Sequence, residues 1–403
     1  MSETETTPLN QEQDASSSGN HQHTTIERWD DLECRPELLR GIYAYGFENP
    51  SPIQKKAIVP MINGKDIIAQ AQSGTGKTGC FTIGMLERVD PAVKNTQALI
   101  LSPTRELSSQ TQGVVDRIGS FLEVKTQLLV GGTSTEADAN KLQTDTPHIV
   151  AGCPGRVHDM LRRKKLISSN LKLIILDEAD EMLSSGFKEQ VYNIFQFLPN
   201  TVQVALFSAT MPSELSALTD KFMRDPVRVL VKAEQLTLEG IKQFYIALDD
   251  DSQKYDTLKD LYSSLSVSQG IIYCNSVRRV QDLYDAMTAD RFPVCQIHSS
   301  MEKEDRDKSY QAFKTGQQRI LISSNVTARG IDVQQVSTVI NFDIPKDVHT
   351  YLHRIGRSGR WGRKGLGINF VTRRENRKMK EIEEHYHTQI EEFPSNWASF
   401  VQT

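Results

Sequence analysis

Residues 71–78, AQSGTGKT, have the spacing of a phosphate-binding loop, although Ala71 stands where the pattern G-x-x-x-x-G-K-[ST] begins with glycine. DIIAQ precedes the loop and TGCFTIGMLERV follows it, which predicts a strand and then a helix, the arrangement that aims backbone N–H groups at phosphate. The two later glycines remain where the backbone must approach phosphate, so we predict nucleotide binding despite Ala71. We expect Lys77 to contact the β and γ phosphates and Thr78 to hold Mg²⁺. The expected contacts in the loop are Ala71, Gln72, Ser73, Gly74, Thr75, Gly76, Lys77 and Thr78.

An acidic group follows the apolar run LKLIIL and forms the sequence DEAD at residues 177–180. A phosphate-binding loop requires an acidic partner for Mg²⁺ at the end of another strand, and α/β sheets place ligands at the carboxyl ends of strands. We expect Asp177 to hold Mg²⁺ through water and Glu178 to orient the attacking water. An isolated D-E-x-D is more often explained by the helix dipole, which favours acids in a first turn. Its position after a strand, in a chain that also carries the loop, favours the metal site.

Short apolar runs alternate with amphipathic stretches over most of the chain. Runs of four to six residues that are apolar throughout are typical of strands buried on both faces, and the stretches between them supply crossover helices. We therefore predict an α/β fold with two domains, residues 26–235 and 241–403, each a mainly parallel sheet flanked by helices. A short linker at 236–240 would join them. Only the first domain contains a GKT sequence.

The charge is distributed unevenly along the chain. Residues 1–25 carry four acids and no Lys or Arg, which predicts a disordered acidic tail and excludes a targeting peptide. Because the whole chain has a net charge of −4, the remainder is near neutral and any contact with nucleic acid must be local. One local excess exists at residues 351–380, with ten Lys or Arg and one acid.

The cysteines and the hydropathy exclude several other classes of protein. Five cysteines, an odd number without C-x-x-C spacing, argue against a zinc site or a disulfide framework and favour a reducing compartment. No apolar run approaches the roughly 18 residues needed to cross a bilayer, so we predict no membrane role.

Four motifs together resemble those of the DEAD-box RNA helicases: AQSGTGKT, DEAD, SAT at 208–210 and HRIGRSGR at 353–360. That family commonly opens its loop with alanine, which accounts for Ala71. The resemblance extends from about Trp29 to residue 395. It implies two tandem RecA-like domains with the ATP site in the cleft between them, ATP and Mg²⁺ as cofactors, and an RNA-stimulated ATPase that unwinds short RNA duplexes.

The resemblance also implies roles for individual residues. GFENPSPIQ, within residues 29–57, is similar to the Q motif of the family, which implies that Phe47 stacks on adenine and Gln54 hydrogen-bonds its edge. ARGID at 328–332 is similar to motif V and implies that Asp332 meets the ribose. The residues expected to couple the ATP and RNA sites are Asp180, Ser208, Ala209, Thr210 and His353. The expected RNA-binding residues are Pro103, Thr104, Arg105, Gly131, Gly132, Gly155, Arg156, Arg306 and Ser324.

HRIGRSGR, similar to motif VI, supplies the arginines expected to complete the ATP site. Arg357 and Arg360 are three residues apart, so on one helical face both can point toward a γ-phosphate on the opposite domain as arginine fingers. A Gly/Arg-rich stretch can also bind RNA nonspecifically, but the missing GKT in the second domain favours fingers. ATP would then close the domains and build a single-strand RNA track that contacts phosphates and 2′-hydroxyls with little sequence specificity. The expected catalytic residues are Lys77, Asp177, Glu178, Arg357 and Arg360.

Several positions depart from the family pattern. Cys153 stands where the family has Thr, Asn325 where Asp is usual, and Lys303 where Gln is usual, while Ser299 and Ser300 replace Gly-Asp. Because these positions lie on the RNA track or on the coupling between sites, we expect intact ATP binding with weaker RNA affinity or RNA stimulation.

Within the family, LLRGIYAYGFE, FMRDPVRVLVK and LTLEGIKQFYI are most similar to the members that act in translation initiation. That similarity implies a cytoplasmic monomer that works on mRNA leaders with a scaffold subunit of the cap-binding complex and accessory initiation factors. An ATP-dependent RNA clamp of the exon-junction-complex type, acting in the nucleus, shares most of these features and stays open. A degenerate paralogue that competes for the scaffold stays open as well.

Overall fold

The computed structural model describes residues 25–71, 74–184, 186–230, 241–264, 269–325, 336–358 and 365–394. Four predicted site residues, Gln72, Ser73, Asp332 and Arg360, lie outside the described residues. Residues 1–24 of the predicted tail and the predicted linker at 236–240 lie outside them as well.

The first half of the chain forms a parallel seven-stranded sheet in the order β3-β4-β2-β5-β6-β1-β7. Its strands are β1 (Ile67–Gln70), β2 (Ala98–Leu101), β3 (Thr126–Leu129), β4 (Ile149–Gly152), β5 (Leu173–Asp177), β6 (Gln203–Ser208) and β7 (Val227–Leu230). Successive residues of a strand enter separate cores on the two faces, so that Ile67 and Ile175 belong to one core and Ile68 and Ile174 to the other. This explains why the central strands are apolar throughout.

Nine helices of the first half, among the described residues, flank this sheet. They are α1 (Pro36–Ala44), α2 (Pro52–Ile62), α3 (Lys77–Arg88), α4 (Arg105–Ile118), α5 (Thr135–Thr144), α6 (Pro154–Arg162), α7 (Ala179–Ser184), α8 (Lys188–Phe195) and α9 (Ser213–Phe222). Local capping sets where several of them begin: Thr104 accepts a hydrogen bond from the Leu107 N–H at α4, and Ser51 with Gln54 forms a capping box at α2.

The second half forms another parallel seven-stranded sheet, in the order β10-β11-β9-β12-β13-β8-β14. Its strands are β8 (Ile241–Leu248), β9 (Gly270–Tyr273), β10 (Val294–Ile297), β11 (Ile320–Ser323), β12 (Thr338–Asn341), β13 (Gly365–Thr372) and β14 (Glu391–Glu392). The helices are α10 (Lys254–Ser264), α11 (Val277–Ala289), α12 (Lys303–Lys314), α13 (Val348–Ile355) and α14 (Asn376–Tyr386). Counted from its own first strand, this sheet has the same strand order as the first. The prediction of two parallel sheets flanked by helices is confirmed.

Within the described part of the chain, every helix is too short or too polar to cross a membrane.

Candidate nucleotide and RNA site

The predicted phosphate-binding loop connects the end of β1 to the start of α3. Gly74 and Gly76 have φ angles of +86° and +96°, a left-handed backbone that glycine adopts without strain. Ala71 is fully buried in the core, and its N–H donates to the carbonyl of Ser208 at 3.0 Å. A small apolar residue at this position therefore extends the pairing of β1 with β6 and fits the core, which explains how alanine replaces the first glycine.

The charged residues of the loop and of β5 meet at the carboxyl edge of the sheet. Lys77 Nζ lies 3.4 Å from Glu178 Oε1, and both side chains are buried. Burial and the neighbouring Glu178 carboxylate raise the pKa of Asp177 to about 7, although Lys77 opposes the rise. Two buried carboxylates against one ammonium leave excess negative charge, which fits a divalent cation. Asp177 and Thr78 are the residues that would hold Mg²⁺ here.

A chain of polar contacts connects the acidic motif to SAT and to the second half of the molecule. Asp180 Oδ2 accepts hydrogen bonds from the Thr210 hydroxyl at 2.7 Å and the Thr210 N–H at 3.3 Å. The Ser208 hydroxyl accepts from the Asp180 N–H and donates to the Thr210 carbonyl. His353 Nε2, on α13, lies 3.6 Å from Asp180 Oδ2. The structure thus brings four of the predicted coupling residues into contact, while Ala209 accepts from the Gln70 side chain through its carbonyl.

Glu178, Asp180 and His353 also place one possible metal ligand atom each within 4.8 Å of one another. Within this group, Asp180 Oδ2 already accepts two hydrogen bonds from Thr210.

The two predicted adenine contacts border the loop. The Gln54 side chain donates to the Gly76 carbonyl at 3.1 Å and accepts from the Ser51 N–H at 2.8 Å. It therefore connects the start of α2 to the phosphate-binding loop. Phe47 stacks on Trp29 with ring centroids 6.0 Å apart. A Cβ at Gly79 would lie 2.8 Å from the Phe47 ring. Sequence reasoning missed Gly79. Because glycine has no side chain, the Phe47 ring can pack directly against α3 at this position.

Of the two predicted arginine fingers, the structure places Arg357. The helix α13 ends at Ile355 and Gly356 caps it, so Arg357 lies beyond the end of the helix. Arg357 is buried, and its Nε donates to the His353 carbonyl at 3.1 Å. Arg357 is therefore positioned by the residue that contacts Asp180, and Arg360 lies outside the described residues.

Arg354, which sequence reasoning missed, is fully buried in the second half. Its guanidinium donates to the side-chain oxygens of Asn275, Asn325 and Asn341 at 2.6 to 3.1 Å and to the Asp343 carbonyl at 2.8 Å. Burial lowers the pKa of Arg354 to about 10, although nearby ionisable groups such as Tyr273 and Asp343 oppose the change. The departure at Asn325 therefore alters the surroundings of a buried cation.

The predicted RNA-backbone motifs cluster beside β4. The Arg105 guanidinium packs against the turn after β3, where a Cβ at Gly132 would lie 2.6 Å from Arg105 Nη1. Arg156 forms a buried ion pair with Asp138 and donates to the hydroxyl and the carbonyl of Thr133, both at 2.9 Å. Pro103 and Thr104 lead into α4, Gly155 lies in the first turn of α6, and Ser324 follows β11.

Cys153 precedes α6, and its Sγ lies 3.6 Å from the Ser108 hydroxyl. Burial raises the pKa of the Cys153 thiol to about 11, so this group is a neutral and weak hydrogen-bond partner. Among the other departures, Ser299 and Ser300 are exposed and Lys303 begins α12.

Arg306 does not lie free on the predicted RNA track. Its guanidinium contacts Glu106, a residue of the first half that follows Arg105 in the PTREL motif. Sequence reasoning included Arg306 as an RNA contact and missed Glu106, because nothing local links residues that are 200 positions apart.

Comparisons with known proteins agree with these motifs. Residues 51–218 match the family model DEAD/DEAH box helicase, and residues 253–362 match the model Helicase conserved C-terminal domain. The ATP-dependent RNA helicase eIF4A of Neurospora crassa is 54% identical over 377 residues, which cover 94% of this chain and 95% of that protein. The eIF4A of Sclerotinia sclerotiorum is 55% identical over 377 residues, covering 94% of each chain. Among solved structures, Saccharomyces cerevisiae Dbp5 bound to RNA and ADP BeF3 is similar with a TM-score of 0.87 and 34% identity, over 94% of this chain and 99% of Dbp5.

Proposed function

The chain belongs to the DEAD-box family of ATP-dependent helicases, and from this membership we propose that it binds single-stranded RNA across both halves and unwinds short RNA duplexes. The observation that carries the proposal is the contact between His353 of the second half and Asp180 of the acidic motif, at 3.6 Å. This contact connects the hydrogen bonds among Asp180, Ser208 and Thr210 in the first half to the second half. ATP held by the first half can therefore bias the position of the second.

Each residue of the site has a distinct task in ATP hydrolysis. The backbone of the loop and Lys77 bind the triphosphate, and Glu178 orients the attacking water. Mg²⁺, when bound by Asp177 and Thr78, would neutralise charge on the β and γ phosphates. Arg357, held by the His353 carbonyl, supplies positive charge from the second half as the γ-phosphate leaves. Phe47 and Gln54 hold the adenine, with Gln54 able to sense the loop through the Gly76 carbonyl.

RNA binding is proposed to follow closure. Arg105, packed against the turn after β3, presents donors to the RNA backbone on the first half, and Ser324 does so on the second. The Arg156 guanidinium is engaged by Asp138 and Thr133, so it supports that turn. Because such contacts read phosphate and ribose, the preference for sequence would be weak. The similarity to Dbp5 solved with RNA and ADP BeF3 supports a closed arrangement of the two halves here.

The pathway proposed is translation initiation in the cytoplasm, on structured mRNA leaders and with a scaffold subunit of the cap-binding complex. The supporting observation is identity of 54–55% over nearly the whole length of proteins named eIF4A. The chain would be a monomer outside that complex.

Hydrolysis of ATP under single-turnover conditions, with and without single-stranded RNA, tests the proposal together with strand separation of a short RNA duplex. We expect RNA to accelerate hydrolysis and ATP to be required for strand separation, and Glu178→Gln to abolish both effects while it retains ATP binding. Slow hydrolysis with long-lived RNA binding and no strand separation would instead identify an RNA clamp. Absence of any RNA effect on ATP hydrolysis would refute the proposed function.

A further inference from the structure

A buried ion pair joins the two halves of the molecule away from the ATP site. Arg306, on α12, places Nε 2.7 Å from Glu106 Oε1 and Nη2 2.8 Å from Glu106 Oε2. The Nη2 contact is a hydrogen bond, and the close approach of Nε to the other carboxylate oxygen adds ionic attraction. The two side chains are only 7% and 10% exposed.

The burial of this pair depends on closure. Glu106 lies in the first turn of α4 and Arg306 in the first turn of α12, in separate halves of the chain. If the halves separated, both charged groups would return to water. Their mutual contact would then be lost, so the pair stabilises the closed arrangement specifically.

The neighbours of the pair are residues of the RNA-backbone motifs. Arg105 adjoins Glu106 at the start of α4 and packs on the turn at Gly131 and Gly132. Burial lowers the pKa of Arg306, with Glu106 opposing the change, and burial followed by the Arg306 guanidinium lowers the pKa of His298. Removing the Glu106 carboxylate would therefore leave the buried Arg306 guanidinium without its acidic partner in the closed state.

We propose, on the basis of the proposed function, that the ion pair of Glu106 and Arg306 is a latch that holds the two halves closed. The latch also fixes the start of α4, so that Arg105 faces the RNA. In this role Glu106 and Arg306 are positioning residues, and Arg306 reaches the RNA only through Glu106. This differs from the direct RNA contact that the sequence predicts for Arg306.

The two roles of Arg306 predict opposite effects of one substitution. If Arg306 were an RNA ligand restrained by Glu106, Glu106→Gln would release the guanidinium and tighten RNA binding. If the pair is a latch, Glu106→Gln weakens RNA binding in the presence of ATP, because the closed state loses its ion pair. Arg306→Gln weakens RNA binding in both cases and serves as the reference.

The experiment measures binding of a fluorescent single-stranded RNA by anisotropy, with and without AMP-PNP, for the full chain. We expect Glu106→Gln and Arg306→Gln each to weaken binding by about 10- to 100-fold with AMP-PNP and by less than threefold without nucleotide. The exchanged pair, Glu106→Arg with Arg306→Glu, should recover part of this loss. The matched control is Arg278→Gln, since Arg278 is 92% exposed and its nearest carboxylate, Asp282, is on the same helix.

Small-angle scattering at saturating AMP-PNP and RNA measures the radius of gyration, and so reports closure of the two halves separately from RNA affinity. The latch variants should have a larger radius of gyration than the wild type, while their melting temperatures without ligand stay within about 2 °C. Tighter RNA binding by Glu106→Gln, or unchanged compaction in both single variants, would overturn the latch. A wild-type chain that compacts with AMP-PNP but never binds RNA would refute the proposed function and leave the latch intact.

Discussion

The two halves of the chain share one strand order but differ in the segment that leads from the first strand of each sheet into the next helix. After β1 come two left-handed glycines and then Lys77, which begins α3. After β8 comes DDDSQ, without glycine, and then Lys254, which begins α10. In both halves the lysine reaches a carboxylate just after a strand two places away in the sheet, β5 or β12: Lys77 Nζ lies 3.4 Å from Glu178, and Lys254 Nζ lies 3.3 Å from Asp343.

The difference lies in how many carboxylates surround each ammonium. Lys254 is 1% exposed and also contacts Asp251 at 3.2 Å and Glu375 at 3.3 Å, so its three N–H donors have three acidic partners. Among the residues that the structure describes, Lys77 has one carboxylate contact, longer than a normal charged hydrogen bond, next to a loop whose backbone can approach an anion. One topology therefore yields a site open to phosphate in the first half and a closed ion cluster in the second.

The largest expected effect is on ATP turnover, to which Arg357 of the second half contributes positive charge. Arg357→Ala should lower ATP turnover by about 10³-fold or more, because it removes positive charge needed only as the γ-phosphate leaves. ATP affinity should change by less than about fivefold. Single-turnover hydrolysis and equilibrium nucleotide binding measure the two quantities. Arg373→Ala is the control, since Arg373 is 79% exposed and pairs with Asp249 on the surface. Equal losses in affinity and turnover would show that Arg357 binds ground-state ATP.

Substituting the two lysines tests the comparison directly. Lys254→Met should lower the free energy of unfolding by about 3 kcal/mol, because Asp343, Asp251 and Glu375 would lose their buried ammonium and keep only Arg279, which pairs with Asp251 and Asp343. Turnover below the melting transition should be nearly unchanged. Lys77→Met should instead lower turnover by about 10²- to 10³-fold, with the smaller effect on stability. Urea denaturation and hydrolysis rates of both variants measure this. If Lys254→Met lost turnover and kept its stability, the second cluster would be part of the ATP site.

The raised pKa of Asp177 predicts a smaller effect, on the pH dependence of Mg²⁺ binding at the nucleotide site. The pKa of Asp177 is raised to about 7, so below that pH the carboxyl is protonated and must release a proton to bind Mg²⁺. We expect Mg²⁺-dependent ATP affinity to fall up to about tenfold per unit as pH drops below 7, and to level off above it. Titrations of Mg²⁺ at pH 6, 7 and 8 measure this. Asp177→Asn should weaken the affinity and remove its pH dependence, and a persistent dependence in that variant would assign the titration to another group.

The smallest expected effect is on stability, through the asparagine side-chain oxygens that contact Arg354. Asn325→Asp should raise the free energy of unfolding by about 1 kcal/mol, because a carboxylate would replace the amide oxygen that Arg354 contacts at 2.6 Å. Thermal melting measures the gain as a shift of a few degrees. Asn341→Asp is the control: its side-chain N–H₂ donates to Asn369, so the carboxylate gains the same charge but loses a hydrogen bond. An equal gain in stability in both variants would show that the added negative charge beside Arg354 determines the effect, regardless of the hydrogen bonds at each position.

The sequence indicated those features that are contiguous in the chain. Strand, loop and helix follow one another at residues 67–88, so local hydrophobicity and glycine spacing predict the nucleotide loop. The same holds for the acids after β5 and for both parallel sheets, because strands buried on two faces are apolar throughout. The end of α13 escaped prediction because a single Gly356 stops the helix inside a motif whose spacing also suits a helical face.

Only the tertiary structure decided which charged groups are engaged with one another. Arg156 with Asp138, Arg306 with Glu106, and Lys254 with its three carboxylates are pairs whose members are separated by up to 200 residues. Spacing along the chain carries no information about such pairs, because long-range contacts depend on how the elements pack and not on local periodicity. The amino-acid sequence by itself determined the two sheets and the phosphate loop. Packing within each half decided which carboxylates contact Lys77 and Lys254, and the packing of the two halves against each other decided that Arg306 meets Glu106.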